Sequence, residues 1–238
     1  MKLVKTKGII IAEHNVSDFD KMLTILTPNL GKIECLAKGS RKPKSLLLAG
    51  SQFLCFGEYI LYKGSDNYSM NSCEIIELFY KIRIDLDKLK YATYITKIVS
   101  DVTTQNQNNY KVLQLYLNTL YVIAETDKEL ELVTSIFRIR LMSVIGFRPQ
   151  IEECVSCKRK EELTHFSIKD SGFKCSACAK QDSGAIEITQ TTKDALRYII
   201  LADAKKIYSF TVPKETRKEL EIVSKLYLTD KLEREYKI

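Results

Sequence analysis

Apolar residues along this chain follow two rhythms. Residues 3–12 are rich in Val and Ile and predict a strand, and Met22–Thr27 predicts a second. Pro28-Asn29-Leu30-Gly31 is a turn signal, after which Lys32–Lys38 predicts a third strand. Phe53–Tyr62 and Tyr68–Leu78 predict two more, joined at Gly64-Ser65-Asp66-Asn67. Five short strands within about 80 residues point to a small barrel or sandwich. From Asp85 the period lengthens. Leu86, Leu89, Ala92, Ile95, Ile98 and Val99 recur at helical spacing, as do Val112 through Ile123 and Leu130 through Val144. Thr103–Asn109, polar and rich in Gln and Asn, is the loop between the first two helices, and Gly146 and Pro149 end the third. Thr192–Ala204 and Lys214–Leu228 also read as helices, with Pro213 fitting the first turn of the latter.

Composition narrows the class. The 238 residues are 45% hydrophobic and 28% charged, an ordinary globular mixture. No apolar run approaches the roughly 18 residues of a membrane span. The apolar run after Met1 reaches Glu13 too soon for a signal peptide, so a soluble intracellular chain is expected. The formal net charge is +7, and the basic excess is local. Between Cys35 and Gly57 stand Lys38, Arg41, Lys42 and Lys44, with no acid. Such a patch suits an anionic partner or simply a solvated loop.

The cysteines divide into two sets. Cys154 and Cys157 form one C-x2-C pair, and Cys175 and Cys178 form another. Two intervening residues let a tight knuckle aim both sulfurs at one ion, and Gly172 can supply a turn in the returning strand. Zinc is the expected ion, and two disulfides are the competing reading for an oxidising compartment. A closed four-thiolate site keeps no open position to activate water, so its role would be structural. It would fold residues 150–185, which are poor in apolar side chains. Zn2+ on four thiolates leaves a local charge of about −2. Of the neighbouring Lys158, Arg159, Lys160, Lys169, Lys174 and Lys180, most are offset by nearby acids. Cys35, Cys55 and Cys73 lie in strand-like segments and read as small buried hydrophobes.

The remaining residues carry no catalytic signature. His14 and His165 are the two histidines, and they share no metal-binding spacing. No G-x-S-x-G, Walker A loop, G-x-G-x-x-G or H-E-x-x-H is present. Asp18 and Asp20 can hold Mg2+ in principle, but turn acids are more often capping residues. A chain that is not an enzyme is therefore expected.

Three segments carry a family resemblance. Thr27-Pro28-Asn29-Leu30-Gly31-Lys32, followed by Ala37-Lys38-Gly39-Ser40-Arg41-Lys42-Pro43-Lys44-Ser45, resembles the N-terminal domain of the RecO family of bacterial DNA repair proteins. Phe137 through Pro149 is similar to that family's helix before its zinc knuckle, and Cys154 through Cys178 to the knuckle itself. Where the family usually has Glu-x-Asp before the second strand, this chain has Asp18-Phe19-Asp20. Where it often has glycine after the second cysteine and a glycine pair before the third, Lys158 and Ser171-Gly172 stand here.

The resemblance implies an α+β chain: an OB-fold β-barrel at 1–80, then a helical domain at 81–238 with a four-cysteine zinc knuckle inserted at 150–185. It implies a cytoplasmic, nucleoid-associated recombination mediator. Such a protein binds single- and double-stranded DNA, anneals complementary strands and partners with RecR. It also acts on DNA coated by single-strand-binding protein and helps load RecA. The physical requirement is that phosphate repulsion be screened, which a basic groove does by releasing counterions. Lys38, Arg41, Lys42 and Lys44 are the first candidates for phosphate contact. Lys5 and Lys7, alternating on the first strand, come next, with a plain solvent face as the other reading. Tyr59 and Tyr62 are candidates for stacking on bases, although alternation puts them on opposite faces and at least one in the core. Arg138 and Arg140, in an apolar helix, are expected to pair with a carboxylate across a domain interface. The alternative function is a zinc-containing protein-interaction scaffold without direct DNA binding.

Overall fold

A computed structural model describes residues 2–65 and 67–238. The chain forms two compact units, one running to Gln114 and one from Leu115 onward. In the first, β1 (Lys2–Asn15), β2 (Lys21–Thr27), β3 (Gly31–Ala37), β4 (Phe56–Lys63) and β5 (Tyr68–Glu77) close a barrel in the order β1-β2-β3-β5-β4. The β3–β5 pair is parallel, whereas β4 runs antiparallel to both β1 and β5. This is the expected OB-fold barrel, and the fold is α+β.

Strict alternation builds its interior. Along β3, Ile33, Cys35 and Ala37 point inward and are buried, and the residues between them are half-exposed. They meet Ile10, Leu23, Ile25, Tyr59, Leu61 and Met70. Fully burying each large apolar side chain contributes about 1.5–3 kcal/mol before the entropy of ordering the chain is set against it. Cys35 and Cys55 belong to this core, and Cys73 packs against its edge. Burial pushes the Cys35 thiol up to about 12, with Glu34 adding to the effect.

The fourth strand begins at Phe56, three residues later than its apolar pattern predicts. Leu54 adopts φ 64°, in the left-handed region, so the chain turns there. The turn still bonds to β1: Leu54 N–H donates to the Ile10 carbonyl at 2.9 Å, and Ile10 N–H to that of Cys55 at 3.0 Å. The predicted connection at Gly64–Asn67 includes Asp66, which lies outside the described residues; Gly64 N–H donates to the Asn67 carbonyl.

The Pro28–Gly31 turn has a tertiary task. α1 (Tyr80–Arg83) and α2 (Leu86–Val102) follow the barrel, and the loop from Thr103 leads to α3 (Tyr110–Glu125). Gly31 sits at φ 74° against that loop, where a Cβ would stand 2.1 Å from the Thr104 carbonyl oxygen. Lys32 N–H donates to the Thr104 carbonyl, Asn106 N–H to that of Leu30, and Asn109 N–H to that of Pro28. Only glycine combines this backbone angle with this close approach.

The second unit is organised by α4 (Leu130–Val144), which packs against α6 (Gln190–Leu201) and α7 (Lys214–Leu232). Most of its residues from Leu132 to Met142 are buried. Pro213 stands as the cap just before α7 rather than inside its first turn. β6 (Leu163–Ser167) is the middle strand of a small sheet, between β7 (Gly172–Cys175) and β8 (Ala185–Glu187). Its Phe166 meets Phe173 and Tyr227 edge-on, which ties this sheet to α7. The four-residue helix α5 (Ser176–Ala179) follows β7 directly.

Arg140 of α4 differs from expectation. Arg140 donates to the carbonyls of Ile199 and Ile200, at the negative dipole end of α6. Its guanidinium is held below its ordinary pKa by burial, then by the neighbouring Arg148. Arg138 is 3% exposed and reaches the Ser224 hydroxyl on α7. Both therefore act within the helical unit. A carboxylate partner was expected for Arg140 because main-chain acceptors from a distant helix end leave no trace in local sequence. No helix among the described residues is long and apolar enough to cross a membrane.

Candidate nucleic-acid interface and metal centre

The basic patch occupies the long connection from β3 to β4, a succession of turns. Lys38, Arg41, Lys42 and Lys44 are all exposed, and among the described residues none is in an ion pair. The start of this connection is pinned to the β1–β2 turn. Asp20 accepts the Gly39 N–H at 2.7 Å, and Arg41 N–H donates to the Phe19 carbonyl at 3.0 Å. The Arg41 guanidinium donates through Nη1 to the Ser17 carbonyl at 2.8 Å, leaving further donors open. Ser17 Oγ in turn accepts from the Phe19 and Asp20 N–H groups. Asp20 is held below the usual carboxylate range by the Gly39 N–H, then by Ser17, with Lys38 and Lys42 adding to the effect. Asp20 thus anchors the loop through the backbone, the capping role that competed with Mg2+ binding.

The other candidates lie elsewhere on the barrel. Lys5 and Lys7 are exposed on β1. Lys5 is held by Glu58 at 2.6 Å, a partner that β-register brings from β4, so its charge is already partly matched. Tyr59 is buried, its hydroxyl donating to the Cys55 carbonyl, and so is a core residue. Tyr62 is 37% exposed. Residue order alone does not single out Phe19, a residue 51% exposed whose ring lies beneath the Lys42 ammonium, 5.4 Å from the ring centroid. An aromatic residue inside a polar Ser-Asp-x-Asp turn is the signal available.

In the second unit, Cys154, Cys157, Cys175 and Cys178 come together, with their sulfurs within 4.8 Å of one another. All seven cysteines are free thiols. Residues 150–155 run beside β7, Gln150 N–H donating to Ser171 and Val155 N–H to Phe173, and this brings the first pair to the second. Gly172 permits the approach: a Cβ there would lie 2.4 Å from the Gln150 carbonyl oxygen. The turn expected of Gly172 is made one residue earlier, by Ser171 at φ 58°. Lys158 adopts φ 65° and closes the first knuckle, its N–H donating to the Cys154 carbonyl at 3.0 Å. Both positions at which the RecO family often carries glycine are thus left-handed here.

The donor set fits a tetrahedral ion. Sulfurs bound at about 2.3 Å to one zinc stand about 3.8 Å apart, and Cys157 and Cys175 are at 3.7 Å. Burial works against ionising Cys154, yet N–H groups of Cys157, Cys175 and Ser156 outweigh it and bring the thiol down to about 6. The four thiols can hold a metal ion. Three of the six positive charges nearby are in ion pairs. Lys158 pairs with Glu153 at 3.3 Å, Arg159 with Glu162 at 3.5 Å, and Lys174 with Asp170 and Asp182. Lys174 is only 5% exposed, so it is an internal ion-pair residue rather than a surface cation.

Comparison with known proteins agrees across both units. Residues 1–79 match the family model for the recombination protein O N terminal, and residues 83–237 that for its C terminal. The DNA repair protein RecO of Acetivibrio thermocellus is 42% identical over 237 residues, covering 99% of this chain and 94% of that protein. The DNA repair protein RecO of Caldicellulosiruptor bescii is 35% identical over 239 residues, covering 100% and 97%. That of Alkaliphilus metalliredigens is 34% identical over 233 residues, covering 98% and 95%. The chain belongs to the RecO family of DNA repair proteins.

Proposed function

We propose that this RecO-family chain is a recombination mediator that holds DNA through the cationic loop of its barrel and performs no covalent chemistry. It binds single and double strands, anneals complementary ones and, with RecR, helps load RecA onto DNA coated by single-strand-binding protein. It works in the cytoplasm, at the nucleoid. The supporting observation is that Lys38, Arg41, Lys42 and Lys44 stand exposed on one anchored loop while its nearest acid, Asp20, is turned to the Gly39 amide. Two strands brought to such a surface exchange condensed counterions for fixed cations, which lowers the repulsion that opposes annealing. Lys7 and the partly matched Lys5, elsewhere on β1, are the remaining cationic candidates for phosphate contact.

In this reading residues 1–80 are the nucleic-acid-binding domain and 81–238 the helical domain. The ion at Cys154, Cys157, Cys175 and Cys178 is a structural Zn2+, one per chain. When bound, it supplies a crosslink for the insertion at 150–185 and nothing to a reaction. The test is to mix complementary oligonucleotides with the purified protein at moderate salt and follow duplex formation. Faster annealing with the wild type than with Arg41→Ala/Lys42→Ala/Lys44→Ala is expected. Equal rates with and without the wild-type protein would favour the scaffold reading.

A further inference from the structure

The turn from Asn15 to Asp20 is more tightly built than an exposed hairpin connection requires. Val16 N–H donates to the Asp20 carbonyl, Ser17 Oγ accepts two N–H groups, and Arg41 donates to the carbonyls of both Ser17 and Phe19. Asp20 fixes the far end on Gly39. At the centre of this arrangement is Phe19, an apolar side chain with about half its surface in water. Scattered exposed hydrophobics are common and by themselves mean nothing. Here the ring is held on a hydrogen-bonded turn, carries the Lys42 ammonium near one face at 5.4 Å, and has the Arg41 guanidinium on the Ser17 carbonyl of the same turn.

Those three groups match a nucleotide in kind. Unpaired bases offer a flat apolar face, and each is followed by a phosphate. An exposed aromatic ring next to two cations can take the base by stacking while the cations take the phosphates. Duplex DNA hides its base faces, so such a ring distinguishes single strands from double ones. Asp18, exposed on the same turn, repels phosphate on its own side and favours a path in which the backbone follows Arg41 and Lys42. We propose that Phe19 is a stacking platform for an unpaired nucleobase, set beside the phosphate contacts of Arg41 and Lys42. This rests on the reading that the β3–β4 loop binds DNA and adds to it a contact with the bases.

The chain contains no tryptophan, so Phe19→Trp places a single indole at this point. The probes are an oligothymidylate and an abasic strand of the same length, which share phosphates and differ in bases. Oligothymidylate should quench the indole at saturation, and the abasic strand should bind without quenching it. Phe19→Ala should weaken oligothymidylate binding about tenfold and leave abasic binding unchanged, with an unaltered melting temperature as the check on folding. If Phe19→Ala binds both strands as wild type does, or weakens both alike, or if the indole is indifferent to bound oligothymidylate, the stacking assignment is wrong while loop binding stands. If the wild-type protein binds neither strand in dilute buffer, the proposed function itself fails and the stacking contact falls with it.

Discussion

The Asp20 carboxylate accepts the Gly39 backbone N–H at 2.7 Å, and through that bond the start of the cationic loop is fastened to the β1–β2 turn. An acid in a basic patch would ordinarily weaken it. Here the acid serves the patch by ordering it, so that the lysines need not be immobilised anew when an anion arrives. Replacing Asp20 by Ala should speed hydrogen exchange at the Gly39 amide on the order of tenfold, with a smaller change at Arg41. Unchanged exchange at Gly39 would mean that the loop is ordered by other bonds.

Lys158 and Ser171 carry left-handed backbone angles without being glycine. Relief of that strain exceeds the entropy glycine adds to the unfolded chain. Lys158→Gly should stabilise the metal-loaded protein by about 0.5–1 kcal/mol in denaturant melts, since the Lys158–Glu153 pair it removes has its lysine in solvent. Destabilisation would show that the Lys158 side chain matters more than its backbone.

Asp182 is held down at about 2 by the Lys174 ammonium and then by the Ser167 hydroxyl. Its folded pKa therefore lies below the ordinary value near 3.9. The stabilisation is fully present above about pH 4 and disappears as pH falls through about 2. Asp182→Asn leaves Lys174 to Asp170 alone and should cost on the order of 2 kcal/mol, the depressed pKa expressed as stability. The difference between wild type and variant should be flat at neutral and mildly acidic pH, because thiol protonation in the knuckle is common to both. A difference that grows towards acid pH would contradict the assignment.

Removal of the metal should act on one unit only. The barrel core contains no residue from 150–185, whereas Phe166 and Phe173 join the knuckle sheet to Tyr227. Purified protein should carry one zinc per chain, and chelation should abolish amide protection in 150–185 while β1–β5 keep theirs. Full protection of the knuckle after the metal is gone would mean that the segment folds without it.

Alternation and helical spacing are local properties, which is why the barrel strands and α2–α4 can be read from residue order. The metal cluster can be read for the same reason, since a C-x2-C pair carries its own geometry. What escapes such reading is contact between distant segments. Glu58 meets Lys5 only through β-register, Arg140 finds the end of α6 some sixty residues on, and Lys174 is buried because β7 carries it towards Asp182. Phe19 escapes for another reason: its position beneath Lys42 depends on how two loops meet.

The dependence of single-strand affinity on salt tests the central claim most directly. For single strands, the slope of log affinity against log salt becomes shallower by about 0.7 for every phosphate the protein no longer neutralises. The Arg41→Ala/Lys42→Ala/Lys44→Ala variant should therefore bind oligonucleotides of any sequence more weakly, with a slope shallower than wild type by about 2. A variant with the wild-type slope and affinity would show that this loop does not hold the phosphates.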